Sequence, residues 1–171
     1  MSSNIMINNI PYSTKIASHI DSTMVQVHIS HATVTDIDAC KTIADQHRNV
    51  LGFLTRAVFT EAAERQRLLV AAIDGQIVGF VRFNHRVRGT ETAIYDICTN
   101  RQIQGRGVGR ALVVALAAEC RQCHRETIAL RCPEGSPANN FYTHMGFQQE
   151  AVEKGKHRRL IVWRLHIKTV L

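Results

Sequence analysis

At 171 residues and 19.2 kDa, the chain is long enough for one domain with a proper core, and its 45% hydrophobic and 20% charged residues are ordinary for a soluble globular protein. No apolar run is long enough to span a membrane, MSSNIMINNIPYSTKIASHIDST lacks the layout of a secretory signal, and five cysteines without framework spacing point to a reducing cytoplasm. The net charge of +7 leaves nucleic acid open as a partner without pointing to it, because the basic residues are scattered along the chain.

Residues 1–23 are polar, contain Pro11 and show no sustained period, so they read as an N-terminal arm; 24–171 read as a single domain. The arm would pack on the domain or on a neighbouring subunit, which leaves a homodimer open. Met24 to Ser30 alternates, with Val25, Val27 and Ile29 on one face, and predicts a half-buried strand. Thr33 to Asp36 is a capping box opening a helix whose apolar face is Ile37, Cys40, Ile43, Ala44 and His47. Asn49 to Gly52 breaks it, and a second helix runs from about Thr55 to Arg67 with Val58, Phe59 and Ala62 inward. Leu68 to Ile73, Asp74-Gly75 and Gln76 to Asn84 form a strong hairpin signal, because Asp-Gly suits a tight primed turn. Gly79 inside the second strand marks a close approach or a bulge.

After a basic turn, His85 to Thr90, a third antiparallel strand leads into Asp96, where Ile94 to Thr99, IYDICT, reads as strand; then come a polar turn and Gln104-Gly105-Arg106-Gly107-Val108-Gly109-Arg110. From Val108 the apolar residues Val108, Leu112, Ala115, Leu116 and Cys120 fall on one helix face. A glycine-rich junction between strand and helix exposes unpaired N–H groups at the positive end of the helix dipole, and Arg106 and Arg110 add full charges. This is an anion cradle, best suited to phosphates. A P-loop needs Gly-Lys-Ser/Thr and the dinucleotide fingerprint a third glycine, and neither matches here; a plain tight turn capping a buried helix is the alternative. Thr127 to Arg131 then reads as a strand. Ser136-Pro137 opens a helix with Ala138, Phe141, Tyr142 and Met145 on one face and Gly146 at its end, and two closing strands follow, Phe147 to Glu153 and Arg158 to Ile167, joined by a basic turn.

Gln104-x-x-Gly107-x-Gly109 resembles the (Arg/Gln)-x-x-Gly-x-(Gly/Ala) loop that holds the acyl-CoA pyrophosphate in the GNAT superfamily of N-acetyltransferases. Ala138-Asn139-Asn140-Phe141-Tyr142-Thr143-His144-Met145-Gly146-Phe147 resembles that family's Ala-x-x-Phe-Tyr-x-x-x-Gly-Phe segment, and the hairpin at Asp74 to Phe80 is similar too. The likeness covers roughly Val25 to Ile167. It implies an α/β (α+β) fold, a mixed and mostly antiparallel central sheet of about seven strands flanked by about four helices.

The resemblance also implies an activity, acyl transfer from acetyl-CoA directly to a primary amine. The acceptor would be a small molecule or a protein or peptide amine; membrane and metal have no part, and nucleic acid is the less favoured partner. Ile97, Cys98 and Thr99 would bind the pantetheine arm and acyl group through their backbone, and Gln104, Gly105, Arg106, Gly107, Val108, Gly109 and Arg110 the pyrophosphate. Tyr142 matches the tyrosine that protonates the departing sulfur, with packing on the inner helix face as the alternative. Asp96 interrupts an apolar strand and is the candidate base, unless it binds a cationic substrate or faces solvent; Tyr95 is a weaker candidate. Where many relatives carry an asparagine seven residues before the tyrosine this chain has Gly135, and Asn139 or Asn140 would contact the cofactor instead. By resemblance, Leu51, Phe53, Leu54 and Arg56 border the acceptor site.

Three other readings bear on chemistry. Cys120-x-x-Cys123-His124 fits a haem-attachment pattern, but two cysteines at that spacing simply share a helix face, and no further metal ligands are marked. Cys98 could carry a covalent acyl group, but as a strand residue it reads as structural. A non-catalytic acyl-CoA-binding module would keep the loop and lack turnover.

Overall fold

The computed structural model describes residues 12–14 and 26–169. Two contiguous faces of one sheet carry the fold, each covered by helices whose apolar stripes follow from the sequence. On one face lie α1 (Ile37–Gln46), the single turn α2 (Arg48–Leu51) and α3 (Arg56–Glu64). Thr33 N–H donates to Asp36 Oδ2 at 2.8 Å in the expected capping box, although the first turn, Val34–Asp36, is 3₁₀ rather than α. α1 buries Ile37, Cys40, Ile43 and Ala44, and α3 buries Phe59, Ala62 and Ala63. The expected break after α1 holds the extra turn α2, which Gly52 ends with φ 75°. The opposite face is covered by α4 (Val108–Gln122), where the expected stripe Val108, Leu112, Ala115, Leu116 and Cys120 is buried together with Ala111, Val113 and Ala117.

The strands are β1 (Tyr12–Thr14), β2 (Val27–His31), β3 (Leu68–Ile73), β4 (Gln76–His85), β5 (Glu91–Thr99), β6 (Thr127–Pro133), β7 (Gln148–Lys154) and β8 (Arg159–His166). Their order in the sheet is β1-β2-β3-β4-β5-β6-β8-β7. The architecture is the expected mixed, mostly antiparallel one, with an eighth strand: part of the N-terminal arm, Tyr12–Thr14, pairs antiparallel with β2, Tyr12 opposite Ile29. The rest of the arm and Met24-Val25 of the expected first strand lie outside the described residues. Asp74 and Gly75 take φ of 49° and 77°, the two positive values that a primed hairpin turn requires. β8 inserts between β6 and β7, and α5 (Ala138–His144) connects β6 to β7; Ala138 N–H donates to Ser136 Oγ at 3.3 Å.

Two irregularities shape the centre of the sheet. Val78 is the extra residue where β4 bulges against β3, and at Gly79 an added Cβ would lie 3.0 Å from both Cys98 O and Val108 Cγ1. Gly79 therefore lets the start of α4 press onto the end of β5, by both of the devices its position suggested. The second bulge puts Tyr95 between Ile94, opposite Phe83, and Asp96, opposite Arg82. Before it, Thr92 and Ile94 lie beneath α4; after it, Cys98 joins the cluster under α1 and α3. One inserted residue has reversed which face the even-numbered side chains use.

Among the described residues β5 and β6 form the single parallel pair, and their ladder holds only for Glu91↔Thr127, Thr92↔Ile128 and Ala93↔Ala129. Beyond Ala93 the strands part into a wedge, β5 staying on β4 and β6 staying on β8. Gly79→Val should crowd the Cys98 carbonyl and Val108, lowering stability by about 1–3 kcal/mol. Urea denaturation should show a lower midpoint at unchanged slope; an unchanged midpoint would show that the approach at Gly79 is not tight.

Candidate active site

The wedge is bounded on one side by Ile94 to Thr99 and on the other by Leu130 to Pro133. An edge strand alternates the direction of its backbone groups, so β5 turns amides and carbonyls into the wedge along its parted length. Ile97, Cys98 and Thr99, which the resemblance would have bind the pantetheine arm and acyl group, lie on this parted length. His47, missed as a polar contributor, bonds through Nε2 to Thr99 O at 2.8 Å, and Gln46 Oε1 accepts from Arg101 N–H at 3.0 Å. Together they fasten the end of α1 to the end of β5.

At the wide end of the wedge the glycine-rich loop leads into α4. Gly105 and Gly107 take φ of 83° and 77°, and Gly107 serves as the N-cap of α4 in the left-handed region. Among the described residues, the N–H groups of Gly105, Gly107, Val108, Gly109 and Arg110 have no hydrogen-bond partner, as expected of a helix start. Arg101, Arg106 and Arg110 are exposed and, among the described residues, free of ion pairs; Gln104 is exposed beside them. Amides, dipole and guanidinium groups converge on one place, so the chain's own geometry fits a diphosphate. An added Cβ on Gly109 would lie 3.2 Å from Phe141 Cζ, so the second motif packs directly on the first.

That packing sets Tyr142, 7% exposed, into the wedge among Phe141, Phe147 and Trp163, with ring centroids 5.5, 5.7 and 6.2 Å away. Burial pushes the Tyr142 hydroxyl well above its ordinary pKa, and Cys132, Cys98 and Asp96 push it further in that order. Those three come from both walls, β6 and β5. It stays protonated, a donor rather than a base. Burial, then Asp96, raises the Cys98 thiol to about 12, and burial raises Cys132. Neither is a thiolate near neutral pH.

Asp96 is 8% exposed, and Arg82 holds it with Nε at 2.7 Å and Nη2 at 2.5 Å, both on Oδ2. Oδ1 has no partner among the described residues. Arg82 also lies 5.0 Å from the centroid of the Tyr95 ring, and Tyr95 Oη accepts from Asn84 Nδ2 at 3.3 Å. Sequence reasoning found the carboxylate but not its cation, since Arg82 meets Asp96 only through strand pairing.

Asn139 stands differently from its expected place at the cofactor. Its Nδ2 donates to Pro133 O at 2.9 Å and Glu134 O at 3.0 Å, and its Oδ1 accepts from Trp163 Nε1 at 2.9 Å. With both donors and its acceptor engaged, Asn139 clips the β6–α5 loop to β8. Asn140 is exposed and its side chain is free of such bonds. Cys120 is buried, its Sγ donating to Thr92 Oγ1 at 3.2 Å, while Cys123 is exposed, so the two do not form a pair of ligands.

Beside α2, at the Pro133 end of β6, lies a cavity of about 570 Å³, lined by Asn49 and Val50, by the β6–α5 loop from Pro133 to Pro137, and by Arg158 and Arg159. No helix among the described residues is long and apolar enough to cross a membrane.

Comparison with known proteins bears on the family and the fold. A 5-NmdU N-acetyltransferase of Pseudomonas phage PaMx11 is 28% identical over 107 residues, 61% of this chain and 75% of the relative. The crystal structure of Ard1 from Thermoplasma volcanium superposes with a TM-score of 0.74 at 21% identity, covering 85% of this chain and 98% of that one. The yncA protein of Salmonella typhimurium, solved with its cofactor acetyl-CoA, superposes with a TM-score of 0.68 at 19% identity, covering 82% and 94%. The Acetyltransferase (GNAT) family matches residues 35–147, two thirds of the chain and both motif segments, and the protein is a GNAT-family N-acetyltransferase.

Proposed function

We propose that this enzyme transfers an acetyl group from acetyl-CoA directly to a primary amine. The observation that carries the reading is the wedge itself. An unpaired strand edge lies beside free loop amides and a buried protonated tyrosine. Residues 105–110 would hold the diphosphate and Ile97 to Thr99 would bind the pantetheine arm as a further strand, one of their amides facing the thioester oxygen. Acetyl-CoA supplies the thioester: the amine nitrogen forms a bond to its carbonyl carbon, the carbon–sulfur bond breaks, and the amine proton leaves as sulfur gains one. Tyr142 Oη donates the proton to sulfur. Asp96, oriented by Arg82, accepts the amine proton at Oδ1, directly or through a water; Tyr95 Oη is the second candidate. An amine acceptor fits the relative named for N-acetylation of 5-NmdU. Five free cysteines, four of them buried, fit a reducing cytoplasm.

Isothermal calorimetry should show acetyl-CoA binding at micromolar to low-millimolar levels, and the absence of binding would sink the reading. A panel of amines should then release CoA thiol; binding without release on any amine would leave a non-catalytic module. Tyr142→Phe should lower kcat about 10²-fold with acetyl-CoA affinity kept. Because the hydroxyl is pushed above its ordinary range and acts in its protonated form, the wild-type rate should show no alkaline fall up to about pH 10.

Asp96→Asn should lower kcat/KM at pH 7, with a deficit that shrinks as pH rises and solvent deprotonates the amine; a deficit constant with pH would remove Asp96 as base. Cys98→Ala should retain turnover. With N-ethylmaleimide the native protein should be modified at Cys123 and spared at Cys40, Cys98, Cys120 and Cys132; trapping of an acetyl group on Cys98 would overturn direct transfer.

A further inference from the structure

The β7–β8 turn holds the densest run of basic residues in the chain, Lys154, Lys156, His157, Arg158 and Arg159, all exposed. It is a tight, fixed turn. Gly155 N–H donates to Arg158 O at 3.0 Å, and an added Cβ on Gly155 would lie 2.6 Å from that oxygen. Arg158 Nη2 reaches across to Val50 O at 3.3 Å, which places the turn at the rim of the cavity. The cavity's one acidic lining residue, Glu134, is met by Arg159 at 3.6 Å, so the rim keeps a positive excess. Lys154 and Lys156 have no acidic partner among the described residues.

Two residues beyond the end of α2, whose Val50 lines that cavity, stands Phe53, 60% exposed. Arg48 Cζ lies 4.6 Å and Lys41 Nζ 5.0 Å from its ring centroid, and Arg48 shares the single turn α2 with Val50. An exposed aromatic ring bordered by cations, tied through α2 to a fixed basic turn, pairs a stacking platform with a track for phosphates. A free small amine needs neither. An acidic peptide would use the cations and leave the ring idle.

We infer that the acceptor amine is carried on a single-stranded nucleic acid. Lys154, Lys156 and Arg158 hold its phosphates, Phe53 stacks a neighbouring base, and the amine-bearing base enters the cavity. The inference rests on the acetyl-transfer reading above and adds the class of acceptor.

The test uses the full chain and fluorescein-labelled single-stranded oligonucleotides of about 20 nucleotides, longer than one site. Fluorescence anisotropy should show micromolar binding at low salt, with log K falling against log salt by about 2, as expected for three phosphates neutralised on a single strand. Deoxy and ribo arms of one sequence tell which sugar is preferred. The double variant Lys154→Glu, Lys156→Glu should weaken binding at least tenfold, and Phe53→Ala several-fold with the salt slope kept. Arg88→Glu, a basic residue on the distant β4–β5 turn, should change nothing.

An oligodeoxynucleotide bearing a primary alkylamine on one base should gain one acetyl group by mass, with a KM at least tenfold below that of the free amine nucleoside. The lysine double variant should raise that KM and leave kcat and acetyl-CoA affinity unchanged. The inference is overturned by absent oligonucleotide binding, by polyglutamate competing as well as the oligonucleotide, by duplex binding at least as tightly as single strand, or by variants without effect. In those cases acetyl-CoA binding and transfer to small amines would still stand. Loss of acetyl-CoA binding in the wild type would instead sink the transfer reading itself.

Discussion

β5 and β6 cannot stay together, and the site exists because of it. Each is held along seven register pairs by a partner on its other side, β5 by β4 and β6 by β8, but by only three to each other. Closing the gap would require moving one half of the sheet against its own ladder, while Phe141 of α5 is seated on Gly109 of α4. Backbone groups along a parted edge need water or a ligand, because a buried orphan amide or carbonyl costs free energy. The sheet therefore presents a ready strand edge to water or to a ligand.

The bulge at Tyr95 decides which side chains meet there. Without it, strand alternation would place Asp96 on the face of Ile94, in the apolar layer beneath α4, where an ionised carboxylate could not be met by Arg82. With it, Asp96 and Cys98 turn to the α1–α3 face, and the carboxylate gains two contacts on one oxygen. The same burial that would penalise a charge keeps Cys98 a thiol and Tyr142 a phenol. The interior of the wedge thus holds neutral donors beside one paired carboxylate, an arrangement suited to handing over a proton and poorly suited to a cysteine nucleophile.

What the sequence showed depended on distance along the chain. The Asp74-Gly75 turn, the loop from Gln104 to Gly109, the α4 stripe and the Phe141-Tyr142 segment are local patterns, and each stands where the spacing put it. The misses are non-local or short. The 47-to-99 and 139-to-163 bonds join residues brought together only by folding, so Asn139 looked free for a cofactor while its amide is engaged by Pro133, Glu134 and Trp163. α2 has four residues and β1 three, too few for a period to register. The Tyr95 bulge leaves no mark on composition, because one extra residue in a strand changes pairing and not propensity.

The basic charge also reads differently once folded. Along the chain it is scattered, and a phosphate-bearing cofactor accounts for it in part. In space it gathers at two separate places. Arg101, Arg106 and Arg110 surround the loop before α4, while the β7–β8 turn lies beside α2 at the rim of the cavity. In the proposed binding mode the first cluster holds the donor's diphosphate and its arm follows β5, so the donor's phosphates are not what the cations at the cavity rim would meet. An anionic acyl acceptor, as inferred above, is the ligand whose charge they would match.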